Sequence, residues 1–443
     1  MTNWVKWFKA LPPPGMLACF YAVFIAIGAC VLRLPVMHNG DVGFGEALFT
    51  SVSAVTVTGL IVVDTGSVFT IPGQIVIAIL IQIGGLGLMT FAVLLLSALG
   101  ITIGMPQRMI LREDLNQTSM SDLSRLVRVI LFVALAVEAA GAVILTFVFV
   151  PDEGWGLGIW HAIFHSVSAF NNAGFSTFRD SLMGYAGNLL VTVTICSMFI
   201  ISGLGFVVIA ELLQKRDWRR LSLHSKLMLA GTAVLIVMAW VLFAALEWNN
   251  PGTLGRLGSA ADRIEASFFQ AVTPRTAGFN SIDTTAMRDS TALMTISLML
   301  IGGGSTSTAG GIKVTTAIVL VLGTIAFFRR STQLTAFGRS IGLQQVLKVM
   351  ALTTISILLV FVSLFLLTLS HDVEFLTLGF EVASAFGTVG LSMGATGELD
   401  TFGRVVIMMV MFAGRVGPLA LGFFLATRVT PRVRYPAGEV YLG

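Results

Sequence analysis

The segment ALFTSVSAVTVTGL, residues 47–60, decides the fold because the chain repeats it three more times. The other copies are AIFHSVSAFNNAGF from Ala162, ASFFQAVTPRTAGF from Ala266 and LGFEVASAFGTVGL from Leu378, and all four align without gaps. Two columns are shared by every copy: Phe49, Phe164, Phe268 and Phe380 in one, and Gly59, Gly174, Gly278 and Gly390 in the other. A unit that recurs at this spacing predicts four structural repeats, which we place at 1–104, 105–218, 219–340 and 341–443.

The amino-acid composition indicates the environment in which these repeats fold. Of 443 residues, 56% are hydrophobic and only 11% are charged. A soluble protein of this size needs far more charged surface, so a soluble multidomain enzyme is excluded. The chain is an integral membrane protein. It has 46 glycines, and we expect some of them to have a role other than close helix packing.

Eight apolar runs are long enough to cross a bilayer, which takes about 20 helical residues. They are 15–34, 69–99, 126–150, 189–213, 227–246, 293–328, 349–369 and 405–427. Each pair of runs encloses one copy of the repeated segment, whose apolar part, such as 47–57, is too short to span. We therefore expect an all-α membrane protein with eight transmembrane helices and four re-entrant pore helices, built as four fused helix–pore helix–helix (M1-P-M2) repeats with pseudo-fourfold symmetry around one pore.

The distribution of charged residues among the connectors predicts the orientation of the chain in the membrane. With both termini and the connectors after the second, fourth and sixth runs on one side, that side carries 18 of the 27 Lys and Arg residues. The positive-inside rule makes it the cytoplasmic side. Of the 23 acidic residues, 16 fall on the opposite side, so the pore helices open under an acidic outer vestibule that favours cations.

The repeated segments end in loops that suit a cation. Glycine adopts positive φ freely, which lets successive carbonyls turn toward a common axis, and irregular backbone at membrane depth has to line such a cavity. The candidate potassium filter comprises Val57, Thr58, Gly59, Asn172, Ala173, Gly174, Thr276, Ala277, Gly278, Thr388, Val389 and Gly390. In the third copy Pro274 and Arg275 precede the filter, so it begins there only at Thr276. The alternative is that these glycines only cap or pack helices, but packing does not require a shared frame in four copies.

These motifs resemble the Trk/Ktr/HKT superfamily of potassium transporters over essentially the whole chain. The resemblance is most specific in IGGGSTSTAGGIK (301–313), AFNNAGF, TPRTAGFNS, GRVGPLA from Gly414 and the ending RYPAGEVYLG. It implies potassium-selective translocation with sodium stimulation, and a homodimer docked on a cytosolic ring of KtrA-type nucleotide-binding subunits. It also implies that Gly at all four filter positions favours potassium, whereas Ser at the first is associated with sodium conduction.

The sixth run is too long for one helix, because 36 residues would extend about 54 Å against a core of roughly 30 Å. We predict a break that forms a gate below the filter, at Gly302, Gly303, Gly304, Ser305, Thr306, Ser307, Thr308, Ala309, Gly310 and Gly311, followed by Lys313. The resemblance implies the same gating role. The alternative is a static kink that accommodates a neighbouring helix.

Arg415 lies near the middle of the eighth run, where an unpartnered charge is costly, so it joins the candidate gate. Its expected partners are carbonyls and hydroxyls of the broken segment, and a purely structural hydrogen-bonding role is the alternative. Lys313 is expected to reach the cytoplasmic side by snorkelling. For Glu138 we expect a packed hydrogen bond, and for His161 and His165 packing within the second pore helix rather than metal binding.

Two other classes of function were considered. A cation symporter with stoichiometric sodium or proton coupling usually has inverted repeats, whereas these repeats begin and end on the same side. An intramembrane enzyme is disfavoured because the spans carry no metal motif, paired carboxylates or nucleophile elbow. We expect a transported potassium ion, no covalently bound cofactor, nucleotide only on a partner subunit, the lipid bilayer as surroundings and no nucleic acid as partner.

Overall fold

The computed structural model describes residues 13–87, 123–331 and 333–417, and almost all of its regular structure is α-helical. The connector after the second apolar run lies mainly outside these residues, and the ending RYPAGEVYLG lies wholly outside them. The first two repeats contain the helices α1 (Pro13–Leu32), α2 (Phe44–Val55), α3 (Thr65–Val68), α4 (Ile71–Gly85), α5 (Leu123–Phe170), α6 (Leu189–Leu204) and α7 (Phe206–Gln214).

The last two repeats continue the same plan with one insertion. Their helices are α8 (Leu223–Glu247), α9 (Ala260–Val272), α10 (Asp289–Leu300), α11 (Val314–Phe328), α12 (Leu343–Ser370), α13 (Phe375–Gly387), α14 (Ala395–Glu398) and α15 (Thr401–Val416). Strands β1 (Leu334–Ala336) and β2 (Arg339–Ile341) pair antiparallel in a small hairpin before α12.

Capping side chains fix where several of these helices begin. Asn188 accepts a hydrogen bond from Val191 N–H at the start of α6, and Asp400 does the same for Gly403 at the start of α15. Each cap satisfies one of the free N–H groups of a first turn. Behind the caps the sequences are apolar on every side, and large side chains such as Phe132 and Phe147 of α5 remain exposed. Helices that are apolar all round are suited to lipid.

Four helical segments among the described residues are long and apolar enough to cross a membrane: Gly15–Leu32, Val129–Phe170, Leu223–Glu247 and Leu343–Ser370. A fifth span results if α6 and α7 count as one, but they meet at an angle of 92°. The predicted run 189–213 is thus helical but bent, because Gly205 takes φ 96° and turns the chain. The second and eighth predicted runs extend beyond the described residues, so the count of eight spans and the fourfold symmetry stay predictions.

Short helices occupy all four repeated segments. They are α2, the end of α5, α9 and α13. Within α5, Gly154 has φ 80° and ψ 169°, which separates the first helix from a second one over 155–170. At 1.5 Å per residue, α2 and the 13-residue α9 and α13 are about 18–20 Å long and too short to cross a core of roughly 30 Å.

The four repeats contact one another in cyclic order. The second helix of each repeat packs against the short helix of the next: α4 against α5, α6 against α9, α10 against α13, and α15 back against α2. Three of the four shared phenylalanines are fully buried in this arrangement, and Phe268 is partly buried. The loops that follow the short helices consequently meet at the centre of the molecule.

Candidate functional site

The four shared glycines form a closed ring of neighbours. A Cβ added to Gly59 would lie 2.2 Å from the carbonyl oxygen of Ala173, and one added to Gly174 would lie 2.8 Å from Cα of Gly278. On the other side of the ring, the corresponding Cβ of Gly278 would lie 2.1 Å from the Val389 carbonyl oxygen, and that of Gly390 2.4 Å from the Thr58 carbonyl oxygen. No side chain fits at these positions, because backbone from the adjacent repeat occupies the space.

The backbone has the same handedness pattern in all four loops. The glycines have φ values of 87°, 68°, 79° and 97° in chain order. Two residues before each glycine stands a non-glycine with positive φ: Val57 (57°), Asn172 (57°), Thr276 (78°) and Thr388 (50°). The residues between them, Thr58, Ala173, Ala277 and Val389, do not have positive φ. Alternation between left- and right-handed backbone turns successive carbonyls toward the same side, which a plain helix or strand does not do.

The positive φ values two residues before the glycines were not expected from the sequence. Val and Thr carry two heavy atoms on Cβ, so a left-handed conformation is strained for them, at about 1–3 kcal/mol for each residue. Val57, Thr276 and Thr388 all adopt it and are fully buried. Strain repeated at one column of four loops shows that the surrounding helices impose this conformation on the backbone.

Side chains at the inner end of the loops are tied together. The amide nitrogen of Asn172 donates to Thr276 Oγ1 over 2.9 Å, and the Asn172 amide oxygen accepts from Ser202 Oγ over 2.7 Å. In the first repeat the hydroxyls of Thr56 and Thr58 are 2.8 Å apart. These bonds join the second loop to the third and to the α6 helix, and they hold side chains away from the carbonyl-lined centre.

The predicted break in the sixth run is present. Helix α10 ends at Leu300 and α11 begins at Val314. The ends of the intervening segment are held together, since Gly302 N–H donates to Ile312 O over 2.8 Å and Ile312 N–H to Leu300 O over 3.2 Å. We call residues 301–313 the inserted segment.

The inserted segment lies directly against the ring. A Cβ added to Gly310 would lie 2.3 Å from Thr388 Oγ1, and one added to Gly302 would lie 3.4 Å from the methyl group of Thr276. Thr388 and Thr276 begin the fourth and third loops. The segment therefore lies against the start of the third and fourth loops, and at Gly310 a side chain would clash with Thr388.

The same segment is bonded to the bend between α6 and α7. Gly304 N–H donates to Gly203 O over 2.7 Å, and Phe206 N–H donates to Thr306 O over 2.9 Å. A Cβ on Gly205 would lie 2.4 Å from the Ser305 carbonyl oxygen. Backbone on both sides of the bend thus pairs with backbone of the inserted segment.

Arg415 reaches two repeats at once. Its guanidinium donates to the carbonyl oxygens of Thr308 and Gly84, and to that of Gly85 over 3.3 Å. The contact with the inserted segment was expected, and the contact with the end of α4 was not. Arg415 lies in the last turn of α15, which ends at Val416, and the rest of the eighth run lies outside the described residues, so its place near the middle of that run stays a prediction.

Lys313 does not extend away from the inserted segment as expected. Its ammonium group donates to Ala309 O over 2.6 Å and to Gly310 O over 3.4 Å, both within the segment. Two cationic side chains, Lys313 and Arg415, therefore donate hydrogen bonds to carbonyls of the segment. Neither has an acidic partner among the described residues.

A glycine with positive φ follows the second helix in three repeats, which was not expected from the sequence. Gly87, Gly205 and Gly417 come directly after or close to the ends of α4, α6 and α15 and have φ values of 83°, 96° and 93°. The signal is in the sequence: Gly-Leu-Gly at 85–87 and 203–205, Arg-Val-Gly at 415–417 and Gly-Gly-Gly at 302–304. In this alignment Arg415 occupies the column of Gly85, Gly203 and Gly302.

The remaining polar candidates are packed, as expected. Glu138 is buried and its carboxylate accepts from the amide of Asn171 over 3.2 Å. His165 is fully buried, and His161 bonds to the Thr177 hydroxyl over 2.6 Å. Within the described part of the chain, no group of three or more His, Cys, Asp or Glu side chains could hold a metal ion.

The outer side of the first two repeats encloses a cavity of about 530 Å³. Its walls include Glu153, Asp180, Arg179 and Tyr185. Burial and the neighbouring Asp152 raise the pKa of Tyr185 to about 12, so this hydroxyl stays protonated and donates to the carboxylate. The cavity thus carries two acidic side chains and one arginine, and the acidic outer vestibule stays a prediction.

An apolar helical bundle whose four related loops converge on one axis defines a membrane transport protein. The family model for TrkH, described as "Cation transport protein", matches residues 20–429. The chain belongs to this family and is a multi-pass membrane protein.

The relatives agree along their whole length. The chain is 46% identical to Ktr system potassium uptake protein B of Bacillus subtilis over 439 residues, which cover 99% of this chain and 98% of the relative. It is 42% identical to the protein of the same name from Vibrio alginolyticus, covering 98% and 96%. With the potassium/sodium uptake protein NtpJ of Enterococcus hirae the identity is 38%, over 98% of each chain.

The crystal structure of the potassium transporter TrkH from Vibrio parahaemolyticus has the same fold. It superposes with a TM-score of 0.74 and covers 94% of this chain and 86% of its own. Sequence identity is 21%, so this likeness concerns the fold alone.

Proposed function

We propose that the protein moves potassium ions selectively across the bacterial inner membrane through the ring of four loops. The observation that carries this proposal is the alternating backbone at the four glycines, which directs carbonyls from four repeats toward one axis. Carbonyl rings replace the hydration shell of a potassium ion in known filters. The names of the three relatives support the choice of ion, since two are potassium uptake proteins and the third is a potassium/sodium uptake protein.

The filter in this proposal consists of the twelve residues 57–59, 172–174, 276–278 and 388–390. Each short helix points its C-terminal, negative end at the same place, which favours a cation over an anion. Eight spans, four pore helices and pseudo-fourfold symmetry about this axis complete the proposed architecture, with both termini in the cytoplasm.

The inserted segment is the proposed gate. It lies against Thr276 and Thr388, and Lys313 and Arg415 hold its carbonyls. In this position it blocks the path from the ring to the cytoplasm, and the two positive charges add an electrostatic barrier to a cation. The backbone bonds to the bend at Gly205 and the guanidinium bonds to Gly84 are the contacts that opening has to break or displace.

Regulation in this proposal comes from outside the chain. Two of the relatives are named as Ktr system proteins, and a system implies further subunits. We expect a homodimer on a cytosolic ring of KtrA-type nucleotide-binding subunits, with sodium stimulation. Because the Enterococcus hirae relative is named for both potassium and sodium, stoichiometric sodium coupling is the alternative to test.

Purified protein in liposomes tests the proposal. We expect uptake of rubidium, a potassium surrogate, well above uptake of sodium, and more of it with the regulatory subunit and nucleotide present. A flux ratio that follows the rubidium gradient alone supports the pore, whereas rubidium accumulation driven by a sodium or proton gradient supports the symporter. Equal uptake of rubidium and sodium would contradict the proposed filter.

A further inference from the structure

Two buried side chains behind the ring stand at the same position of different repeats. His165 and Glu381 both lie nine residues before the shared glycine of their repeat, in the second and the fourth copy. Both are fully buried. Burial of an ionisable or strongly polar group costs free energy unless its hydrogen bonds are satisfied, so their partners are informative.

Each of them bonds to a serine hydroxyl just beyond the ring. His165 Nε2 lies 2.9 Å from Ser176 Oγ, and Glu381 Oε1 lies 2.7 Å from Ser392 Oγ. Both serines stand two residues after the glycine. In the histidine, Nδ1 is 2.8 Å from the His161 carbonyl oxygen, which can only accept, so Nε2 of the neutral ring accepts from the serine.

Each serine hydroxyl also accepts a hydrogen bond from a backbone N–H two residues later. Ser176 Oγ accepts from Phe178 N–H over 2.9 Å, and Ser392 Oγ accepts from Gly394 N–H over 2.9 Å. Both N–H groups are four residues after the glycine. Glu381 also accepts hydrogen bonds from Met393 N–H over 2.9 Å and from the Thr396 hydroxyl, so it holds the extended segment that follows Gly390 at two more points. The exit strand of each of these loops is thereby tied to its own pore helix.

The first and third repeats cannot form this tie. Phe269 replaces the acceptor in the third repeat, and Ile61 replaces the serine in the first. The neighbours in the ring follow chain order, so the second and fourth loops lie on opposite sides of the axis. The ties therefore form one opposed pair.

We infer that the His165–Ser176 and Glu381–Ser392 ties are positioning elements for ion selectivity. They fix the outer strands of two opposed loops and so limit how far the glycine carbonyls rotate toward a smaller ion. Discrimination between ions depends on the size and field of the carbonyl cage, and a loosened strand would let the cage contract around sodium. This inference rests on the proposed filter.

The test compares rubidium and sodium uptake by liposomes containing wild type, Ser176→Ala, Ser392→Ala and the double variant. We expect each single change to reduce the rubidium-to-sodium preference roughly fivefold, as the loss of one hydrogen bond predicts. Ser392→Thr keeps a hydroxyl and should restore the preference. Ser67→Ala is the matched control, because the hydroxyl of that exposed serine donates to Asp64 in the loop after α2 of the first repeat, and the change leaves its backbone bonds in place.

Unchanged preference in both single variants and the double variant overturns the inference. An equal loss in Ser67→Ala, or no recovery with Ser392→Thr, also overturns it, because the effect would then not belong to the ties. Failure of the proposed function looks different: wild type would show no preference for rubidium at all. A shift of total uptake without a shift of the ratio assigns the serines to stability and counts against positioning.

Discussion

The molecule contains two sets of four related backbone breaks, and they differ in how alike their members are. In the ring all four loops have glycine, and all four have positive φ at the glycine and two residues before it. Among the second helices, α4, α6 and α15 are each followed by a glycine with positive φ, Gly87, Gly205 and Gly417, and α10 is followed by the inserted segment of residues 301–313. A cage around one ion needs an equal contribution from every repeat, whereas one segment suffices to close a path.

The largest expected effect comes from making the ring unequal. Gly59→Ser places a Cβ at φ 87°, about 2.2 Å from the Ala173 carbonyl oxygen, so that carbonyl has to move. We expect the rubidium-to-sodium uptake ratio in liposomes to fall at least about tenfold, equivalent to about 1.4 kcal/mol. Gly184→Ser is the control, since a Cβ there meets nothing within 4 Å. An unchanged ratio in Gly59→Ser would remove this glycine from the filter.

The second-largest effect is expected when the inserted segment is shortened, which makes the four second helices more alike. Deleting Ser305–Gly310 shortens the inserted segment toward the single-glycine bends of the other repeats. We expect basal rubidium uptake without a regulatory subunit to rise several-fold, and added nucleotide to change it little, because the plug is gone. Loss of all uptake in a deletion variant that purifies as a folded dimer would instead support the static kink.

Arg415→Gln tests the latch between the inserted segment and the first repeat. The change removes the charge and at least one of the bonds to Thr308, Gly84 and Gly85. We expect basal rubidium uptake to increase about two- to fivefold, since a hydrogen bond to a charged group contributes about 1.5–3 kcal/mol at most and part is regained by the amide.

Arg404→Gln is the matched control for the latch. Arg404 lies in the same helix but bonds to the Leu399 carbonyl in the outer loop, away from the inserted segment. If both variants raise uptake equally, the effect is one of general charge or stability and the latch is wrong. If only Arg415→Gln does, the contact across repeats holds the closed state.

The smallest effect is expected at the bend in the second repeat. Gly205→Ala forces an alanine to φ 96° and a Cβ to within 2.4 Å of the Ser305 carbonyl oxygen. We expect a loss of about 1–2 kcal/mol in stability from the backbone alone, seen as a lower thermal transition of purified protein. Gly203→Ala should be nearly silent, because its nearest neighbour, an Asn172 nitrogen, is 3.7 Å away. Equal transitions for both variants would contradict the assigned strain at the bend.

The sequence predicted the parts of this site that repeat and missed those that depend on contact. The short helices, the ring glycines and the break after Leu300 follow from composition and register, which are visible in one chain. The strain at Val57, Thr276 and Thr388 was not predictable, because neighbouring backbone imposes it. The bend at Gly205 was hidden for a different reason: the run 189–213 is uniformly apolar, and hydropathy does not register a change of direction.

The two cations of the candidate gate show the same limit. Composition marked Arg415 as unusual within an apolar run, and its bond to the inserted segment was expected. Its second bond, to the end of α4, joins residues 331 positions apart, and only the cyclic packing of the repeats brings them together. Lys313 was expected to reach the cytoplasmic side, but its ammonium group donates to carbonyls of its own segment.

The central claim is that the four loops together hold one potassium path. Diffraction from crystals of the purified protein grown in rubidium, recorded at the rubidium absorption edge, tests it most directly. The account predicts anomalous density on the axis between Gly59, Gly174, Gly278 and Gly390, and its loss when sodium replaces rubidium. Rubidium density elsewhere in the membrane region, with the space between the four glycines empty, would contradict it.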